Sequence, residues 1–244
     1  MRILHILDHS LPLHSGYTFR TAAILREQRR LGWETFHLTS AKQGSTPTLE
    51  ETAAGLHFFR TSPETAAWAR WPVLDQAAIV RGLTRRLDEV VEQLKPEVLH
   101  AHSPALNGLA ALPIARRYRL PLVYEVRAFW EDAAVDHGTT REGSVRYRLT
   151  RALETYVLKH ADAVTCICEG LRSDIVEREV PVAKVTVIPN AVDIDQFSLG
   201  GEPDGELKAR LGLTGARVLG FIGSFYAYEG LALLLDALPT LLAQ

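Results

Sequence analysis

Short apolar runs alternate with longer amphipathic segments through most of the chain, and this alternation restricts the possible folds more than any other feature. Residues 98–102 and 121–126 have the length of buried strands, whereas residues 75–94 have the apolar period of a helix. Strands that alternate with helices pair in parallel through right-handed crossovers. The sequence therefore predicts an α/β fold with a doubly wound, Rossmann-like parallel sheet.

The same patterns locate the remaining elements. Gly32 is expected to end the first helix, because glycine is favoured just after a helix C-terminus. The predicted strands are residues 1–7, 36–39, 56–60, 98–102, 121–126, 162–168, 184–188 and 217–222. The predicted helices are residues 18–31, 75–94, 107–118, 144–160, 171–179 and 231–242.

Composition excludes several classes of protein. The net charge of -2 over 244 residues gives no general attraction to nucleic acid, so no such partner is expected. The first apolar run meets Asp8 too early for a signal peptide, and no segment approaches the ~18 apolar residues of a membrane span. A cytoplasmic location is therefore expected. Cys166 and Cys168 are predicted to be buried thiols on one strand face, and no metal-ligand spacing accompanies them.

Glycine and proline concentrate between residues 189 and 210, which predicts a linker there. The predicted domains are residues 1–197, a linker with a short helix at 198–215, and one strand and one helix at 216–244. A single strand and helix cannot form a domain. They either dock on the first domain or begin a second one, and the uncapped end at residue 244 favours a second domain that is cut short.

Unusual residues follow four of the predicted strands. After the first strand, a loop leads to Gly16 and Tyr17 at a helix N-terminus, where free N–H groups favour a phosphate or carboxylate. The spacing fits neither a Walker loop nor a dinucleotide fingerprint, and the glycine is also compatible with a simple turn. His102 lies close enough to its strand end to meet a ligand, whereas His100 is more typical of a core histidine.

The other two strand ends carry charge. Arg127 directly follows a strand and is suited to holding a phosphate or carboxylate, although Glu131 and Asp132 are alternative partners for it. Glu169 lies at a helix N-terminus, where a carboxylate also serves as a simple cap. Asn190 and Asp193 follow the last strand of the domain, and both residue types also fix sharp turns.

Two segments resemble one known family. The run IPNAVDIDQF at 188–197 is similar to the Pro-Asn-Gly-Val-Asp segment between the two domains of family 4 (group 1) retaining glycosyltransferases, with Ala191 in place of the glycine. The run LGFIGSFYAYEGL at 219–231 looks like the first strand, loop and helix of their second domain. Ser224 and Glu229 stand where many members have an arginine and a lysine. The resemblance implies the N-terminal half of a GT-B architecture.

The family implies transfer of a sugar from a nucleotide-sugar donor to a glycan or lipid-linked acceptor with retention, in polysaccharide biosynthesis, with no obligatory metal or cofactor. The runs at 124–132 and 221–230 resemble the exosortase-associated branch. Under this resemblance, Arg127 and His102 line the acceptor side and Glu131 orients Arg127. The residues expected at the donor and substrate are Gly16, Tyr17, Glu169, Asn190, Asp193, Gly223, Ser224 and Glu229.

Three further expectations accompany this assignment. The family's donor-gripping carboxylates belong to the part of the second domain that is missing here, so this chain alone is expected to be inactive. A non-catalytic binding module and a nucleotide-sugar 2-epimerase of the same architecture are the alternatives. Peripheral contact with the inner membrane is also considered, through the aromatic stretch at 68–72 and the arginines at 116, 117, 119, 141, 146, 148 and 151.

Overall fold

One sheet of eight strands confirms the predicted α/β fold. The computed structural model describes residues 1–44, 48–71, 74–195, 201–223, 225–226 and 229–242. Within these residues the strands are β1 (Arg2–Leu7), β2 (Glu34–Thr39), β3 (Glu50–Ala53), β4 (Leu56–Phe59), β5 (Val98–His102), β6 (Leu122–Val126), β7 (Ala163–Cys166) and β8 (Val185–Val187).

The strand order is β3-β4-β2-β1-β5-β6-β7-β8, and all pairs are parallel except β3 with β4. The chain builds the sheet outward from β1 in one direction and then returns to add β5 on the other side of β1. Strand β3 was not predicted, because its sequence EETA has no apolar run. It forms by pairing with β4 at the sheet edge.

Eight helices accompany these strands in the described part of the chain. Ser15 and Ser144 cap two of them by accepting a backbone N–H, and Gly32 follows the first helix with φ +82°, a conformation that glycine adopts readily. The helices are α1 (Gly16–Arg30), α2 (Leu74–Leu94), α3 (Ala105–Tyr118), α4 (Trp130–Asp136), α5 (Val145–His160), α6 (Glu169–Glu177), α7 (Gly205–Arg210) and α8 (Leu231–Leu242).

The main core lies between the central strands and helices α2, α3 and α5. Leu99, Tyr124 and Val157 are almost completely buried in it. A methyl group at Gly108 of α3 would collide with the side chain of Val157 on α5, so the two helices approach closely there. This packing fixes the strand ends from which the candidate functional residues project.

The structure corrects two predictions about local structure. Strand β7 ends at Cys166, which is buried, whereas Cys168 is exposed as the N-cap of α6. Residues 217–222 form no strand, and the side chain of Ile222 is fully exposed. A strand needs a hydrogen-bonded neighbour, and the described residues around this segment supply none.

Two compact units divide the chain. The first contains the sheet and comprises Met1–Val135 with Thr140–Asn190, and the second comprises Asp136–Thr139 with Ala191–Gln244. The second unit contains α7 and α8. The predicted domain boundary after residue 197 lies outside the described residues, so it stays a prediction. No helix in the described ranges is both long enough and apolar enough to cross a bilayer.

Candidate functional site

Successive strands are added to one side of the sheet from β1 to β4 and to the other side from β5 to β8, so the strand order reverses between β1 and β5. Ligands of doubly wound sheets bind beyond the carboxyl ends of the strands at such a point. Polar side chains collect there in two layers. We call Asp8, His9, Ser15, Lys42 and Trp130 the exit surface. We call His5, Arg20, His102, Glu125 and Arg127 the buried network.

The exit surface combines a cation, an imidazole and an indole that reach solvent. The Lys42 ammonium lies 3.3 Å from the Asp8 carboxylate and 6.0 Å from the centre of the Trp130 ring. The side chain of Lys42 is 33% exposed and Trp130 is 42% exposed. His9 Nε2 lies 2.9 Å from Ser15 Oγ. These groups can bind a polar ligand without leaving their present positions.

The N-terminus of α1 adjoins this surface. Ser15 Oγ accepts the N–H of Thr18, so the cap satisfies one of the free donors of the first turn. No atom lies within 4 Å of the place where a side chain on Gly16 would begin. The backbone N–H groups of Gly16 and Tyr17 lie in the first turn and have no acceptor within the helix, and the helix dipole favours an anion there. This geometry suits a phosphate.

Arg127 is enclosed rather than open to a ligand. Its guanidinium donates to Glu125 Oε1 at 2.9 Å and to the Tyr17 carbonyl at 2.7 Å. A second terminal nitrogen donates to Thr21 Oγ1 at 3.0 Å and to His102 Nδ1 at 2.8 Å. The side chain is only 10% exposed and packs over the Tyr17 ring. Arg127 therefore fixes α1 against β5 and β6.

Glu125 is the centre of the buried network. Its Oε1 accepts from both Arg127 and Arg20 at 2.9 Å. Burial alone would raise the pKa of Glu125, but the neighbouring His100 and Arg127 hold it well below the ordinary value. Arg20 also donates to the carbonyls of Ile188 and Pro189, so the network fastens the segment that leaves the sheet.

A chain of hydrogen bonds with fixed direction passes through the two histidines. Arg127 must donate to His102 Nδ1, so His102 Nε2 carries the proton and donates to His5 Nδ1 at 2.9 Å. His5 Nε2 then donates to Gln28 Oε1 at 2.8 Å. Burial lowers the pKa of both His5 and His102 well below the ordinary value, which agrees with two neutral rings.

The same histidines form the one candidate metal group among the described residues. His5, His100 and His102 each offer a nitrogen, and these atoms lie within 4.8 Å of one another. Facing nitrogens of His5 and His102 already share a hydrogen bond, and the Arg127 cation lies beside the group. A metal ion would have to break that bond next to a positive charge, so the arrangement favours the hydrogen-bond chain.

The predicted role of Glu131 as the partner of Arg127 is wrong. Glu131 is buried and pairs with Arg178 at 2.8 Å, because α4 turns its side chain toward α6 instead of toward the sheet end. Glu154 is buried in the same region and accepts the Tyr124 hydroxyl at 2.6 Å. Burial raises the pKa of Glu154 to about 7, and the neighbouring Glu131 adds to this effect.

The other predicted site residues are divided between the two units. Asn190 Oδ1 accepts from Arg20, which joins it to the buried network. Glu169 is an exposed first-turn residue that pairs with Arg172. In the second unit, Asp193 accepts the N–H of Asp195 in a turn, and Gly223 and Glu229 are exposed. Ser224 lies outside the described residues.

Four important residues were not among the predicted site residues. Glu125 interrupts an apolar strand, and an unpaired charge is rarely buried. The sequence could therefore have predicted a buried cationic partner for Glu125. His5 is opposite His100 in the β1–β5 register, which sequence alone does not reveal. Arg20 and Lys42 have the appearance of ordinary surface cations, and only the assembled sheet shows their partners.

Comparisons with known proteins show what the chain is similar to. A family model described as a glycosyl transferase 4-like domain matches residues 15–191 of the 244. The chain is 25% identical over 142 residues to alpha-monoglucosyldiacylglycerol synthase from Streptococcus pneumoniae. That match covers 57% of this chain and 31% of the synthase.

Solved structures show the same fold at low identity. HepE from Anabaena, solved with UDP-glucose, matches 98% of this chain and 57% of its own with a TM-score of 0.68 at 14% identity. The catalytic domain of starch synthase IV from Arabidopsis thaliana, bound to ADP and acarbose, matches 99% of this chain and 66% of its own with a TM-score of 0.66 at 14% identity. The chain therefore spans less than two thirds of each of these relatives.

Proposed function

We propose, from the premise that the chain belongs to the family of glycosyl transferase 4-like domains, that this protein transfers a sugar from a nucleotide-sugar donor to a glycan or lipid-linked acceptor. The observation that carries the proposal is the family match over residues 15–191, which includes the α1 N-terminus and Ser15, Lys42 and Trp130 of the exit surface. The relative named for a glucosyldiacylglycerol product supports a lipid-linked acceptor, and HepE with UDP-glucose supports the donor class.

The proposed chemistry uses the first turn of α1. Negative charge grows on the leaving nucleoside diphosphate as the bond between its oxygen and the anomeric carbon of the sugar breaks, so fixed hydrogen-bond donors aimed at the diphosphate lower the barrier. The N–H groups at Gly16 and Tyr17 provide such donors, and Lys42 provides a cation on the same side of the sheet. We propose retention at the transferred sugar and no obligatory metal or cofactor, as the family resemblance implies.

His102 and Arg127 are proposed to act beneath the acceptor rather than on it. Both side chains are enclosed, and their hydrogen bonds hold Tyr17, Thr21 and the strand ends in place. They are therefore positioning residues for the exit surface. Residues proposed for donor contact beyond this surface are Glu169, Asn190, Asp193, Gly223, Ser224 and Glu229, on the strength of the family resemblance.

Two finer assignments are proposed from resemblance as well. The segments at 124–132 and 221–230 support membership of the exosortase-associated branch and a role in polysaccharide synthesis. The chain covers 57% of HepE and 66% of the starch synthase domain, which supports the proposal that these 244 residues alone do not complete a sugar transfer.

Calorimetric titration of nucleoside diphosphates and nucleotide sugars tests the proposal. The titration compares the 244-residue chain with a chain extended by a complete second domain. We expect the extended chain to bind one nucleotide sugar and to transfer its sugar, and the short chain to do neither. Lys42→Ala should weaken transfer by the extended chain, whereas Lys95→Ala, at an exposed position after α2, should not. Failure of the extended chain to bind any nucleotide would contradict a transferase and favour a binding module.

A further inference from the structure

The outward face of α5 has an apolar stripe. Val145, Leu149, Leu153 and Tyr156 are all exposed, with Val145 at 77% and Leu149 at 50%. Their spacing of three or four residues places them on one side of the helix over about 16 Å. The opposite side, which includes Glu154, is buried in the protein. A helix face exposed only to water normally carries polar residues along its centre.

Basic side chains border this stripe on both sides. Helical spacing places Arg148 and Lys159 beside one edge, with Arg151 further round on the same side, and Arg146 beside the other edge. Glu154 is the single acid of α5, and it is buried against the Tyr124 hydroxyl. The exposed face of the helix therefore carries positive charge only.

Two of these cations are available for a partner. Lys159 pairs with Glu179 at 2.6 Å. The side chains of Arg148 and Arg151 make no hydrogen bond or ion pair with any residue that the structure describes. Both line a shallow groove of about 370 Å³ together with Tyr156 and Lys159. Such a groove offers both positive charge and an aromatic ring among its lining side chains.

We propose that the outward face of α5 binds the surface of a bilayer that contains anionic phospholipid. A helix of this kind lies in the plane of the membrane interface, with apolar side chains at the acyl boundary and basic side chains at the lipid phosphates. A second copy of the chain fits less well, because pairing two such faces would bring like charges together. The inference does not depend on sugar transfer, since it concerns a surface outside the exit surface and the buried network.

Co-sedimentation of the 244-residue chain with vesicles tests the proposal. The experiment compares vesicles of phosphatidylcholine alone with vesicles that also contain phosphatidylglycerol. We expect sedimentation with the anionic vesicles only, and weaker binding as salt is raised, because the attraction is screened over about 10 Å at 0.1 M salt. No sedimentation with anionic vesicles, or equal binding to both kinds, would overturn the proposal.

A matched pair of charge reversals locates the surface. R148E/R151E should weaken binding to anionic vesicles about tenfold or more. R26E/R30E changes the net charge by the same amount on the exposed face of α1 and should leave binding unchanged. Equal losses in both double variants would show that only the total charge matters and would overturn the assignment to α5.

A second pair of substitutions tests the apolar stripe without changing charge. Val145→Ser and Leu149→Ser lie at exposed positions, so the fold should be preserved and circular dichroism should be unchanged. We expect each to reduce vesicle binding severalfold. Unchanged binding by both would contradict insertion of the stripe. If the wild-type chain instead self-associates and these variants do not, with no vesicle binding by either, the partner is a second copy and the proposal fails.

Discussion

The buried network and the exit surface lie at the ends of the same central strands, yet they satisfy their charges differently. Glu125 accepts from two arginines, and the guanidinium of Arg127 alone makes four hydrogen bonds within the protein. By contrast, Lys42 has one carboxylate neighbour at 3.3 Å and remains one-third exposed. The network uses its polar groups to hold structure, whereas the exit surface keeps polar groups accessible to a ligand.

This difference separates two kinds of functional residue. A charged group buried with all its partners contributes to a site by fixing the backbone and side chains around it, and its removal leaves the partners without compensation. An exposed group contributes through the ligand and costs little stability when it is lost. Substitutions in the two layers should therefore differ in stability and in activity, and the predictions for Glu125, Arg20 and Lys42 test this division.

Removing the carboxylate at the centre of the network should have the largest effect on stability. Glu125→Ala leaves the buried cations of Arg20 and Arg127 without their shared partner. We expect a loss of about 3–5 kcal/mol in the free energy of unfolding, measured by urea denaturation. Glu27→Ala, which removes an exposed partner of Arg30, is the control and should change stability by less than about 0.5 kcal/mol. A loss below about 1 kcal/mol for Glu125→Ala would contradict a stabilising network.

Glu154, a second buried glutamate, has a raised pKa, whereas that of Glu125 is lowered. Glu154 and Glu131 share a neighbourhood with one arginine, Arg178, and the pKa of Glu154 is raised to about 7 from 4.5. The folded state therefore holds a proton that the unfolded state releases, so stability should fall as pH rises from about 4.5 to 7. The expected slope is about 1.4 kcal/mol per pH unit.

Glu154→Gln isolates this titration. The amide keeps the shape of the side chain but cannot ionise, so the variant should lose the downward slope and gain stability relative to wild type as pH rises to 7. Urea denaturation across pH 4 to 8 provides the measurement. Glu177→Gln, at an exposed position of α6, should follow the wild-type curve. Parallel curves for Glu154→Gln and wild type would show that the proton is not held at Glu154.

Sequence reasoning recovered the sheet more completely than the site. Apolar periodicity located seven of the eight strands, because burial on both faces imposes a pattern that is visible along the chain. The partner of Arg127 is Glu125, two residues earlier, and not Glu131, four residues later. The direction in which the Glu131 side chain points depends on the path of the chain from β6 into α4. The local sequence does not encode that path. Long-range partners such as Arg20 and Ile188 become neighbours only in the folded sheet.

Replacing Arg20 should have an intermediate effect on stability, because this side chain links the buried network to the segment that leaves the sheet after β8. Arg20→Ala removes hydrogen bonds to Glu125, Asn190 and the Ile188 carbonyl. We expect a loss of about 1–3 kcal/mol in unfolding free energy and faster hydrogen exchange at the Ile188 amide. Arg26→Ala, on the exposed side of the same helix, should change neither. Unchanged exchange at Ile188 in Arg20→Ala would show that the strand β8 exit is held by other contacts.

Lys42 gives the smallest expected change in stability, and for that reason it separates the two layers most sharply. Lys42→Ala removes an ion pair that is partly exposed, so the unfolding free energy should change by less than about 0.5 kcal/mol. If the exit surface contacts the donor or acceptor, sugar transfer by the chain extended with a second domain should nevertheless fall about tenfold or more. Lys95→Ala should preserve both stability and turnover. A loss of stability comparable to that of Glu125→Ala would place Lys42 in the supporting layer. Unchanged turnover would remove Lys42 from the site, because an exposed cation that neither stabilises the fold nor assists transfer has no role at the strand ends.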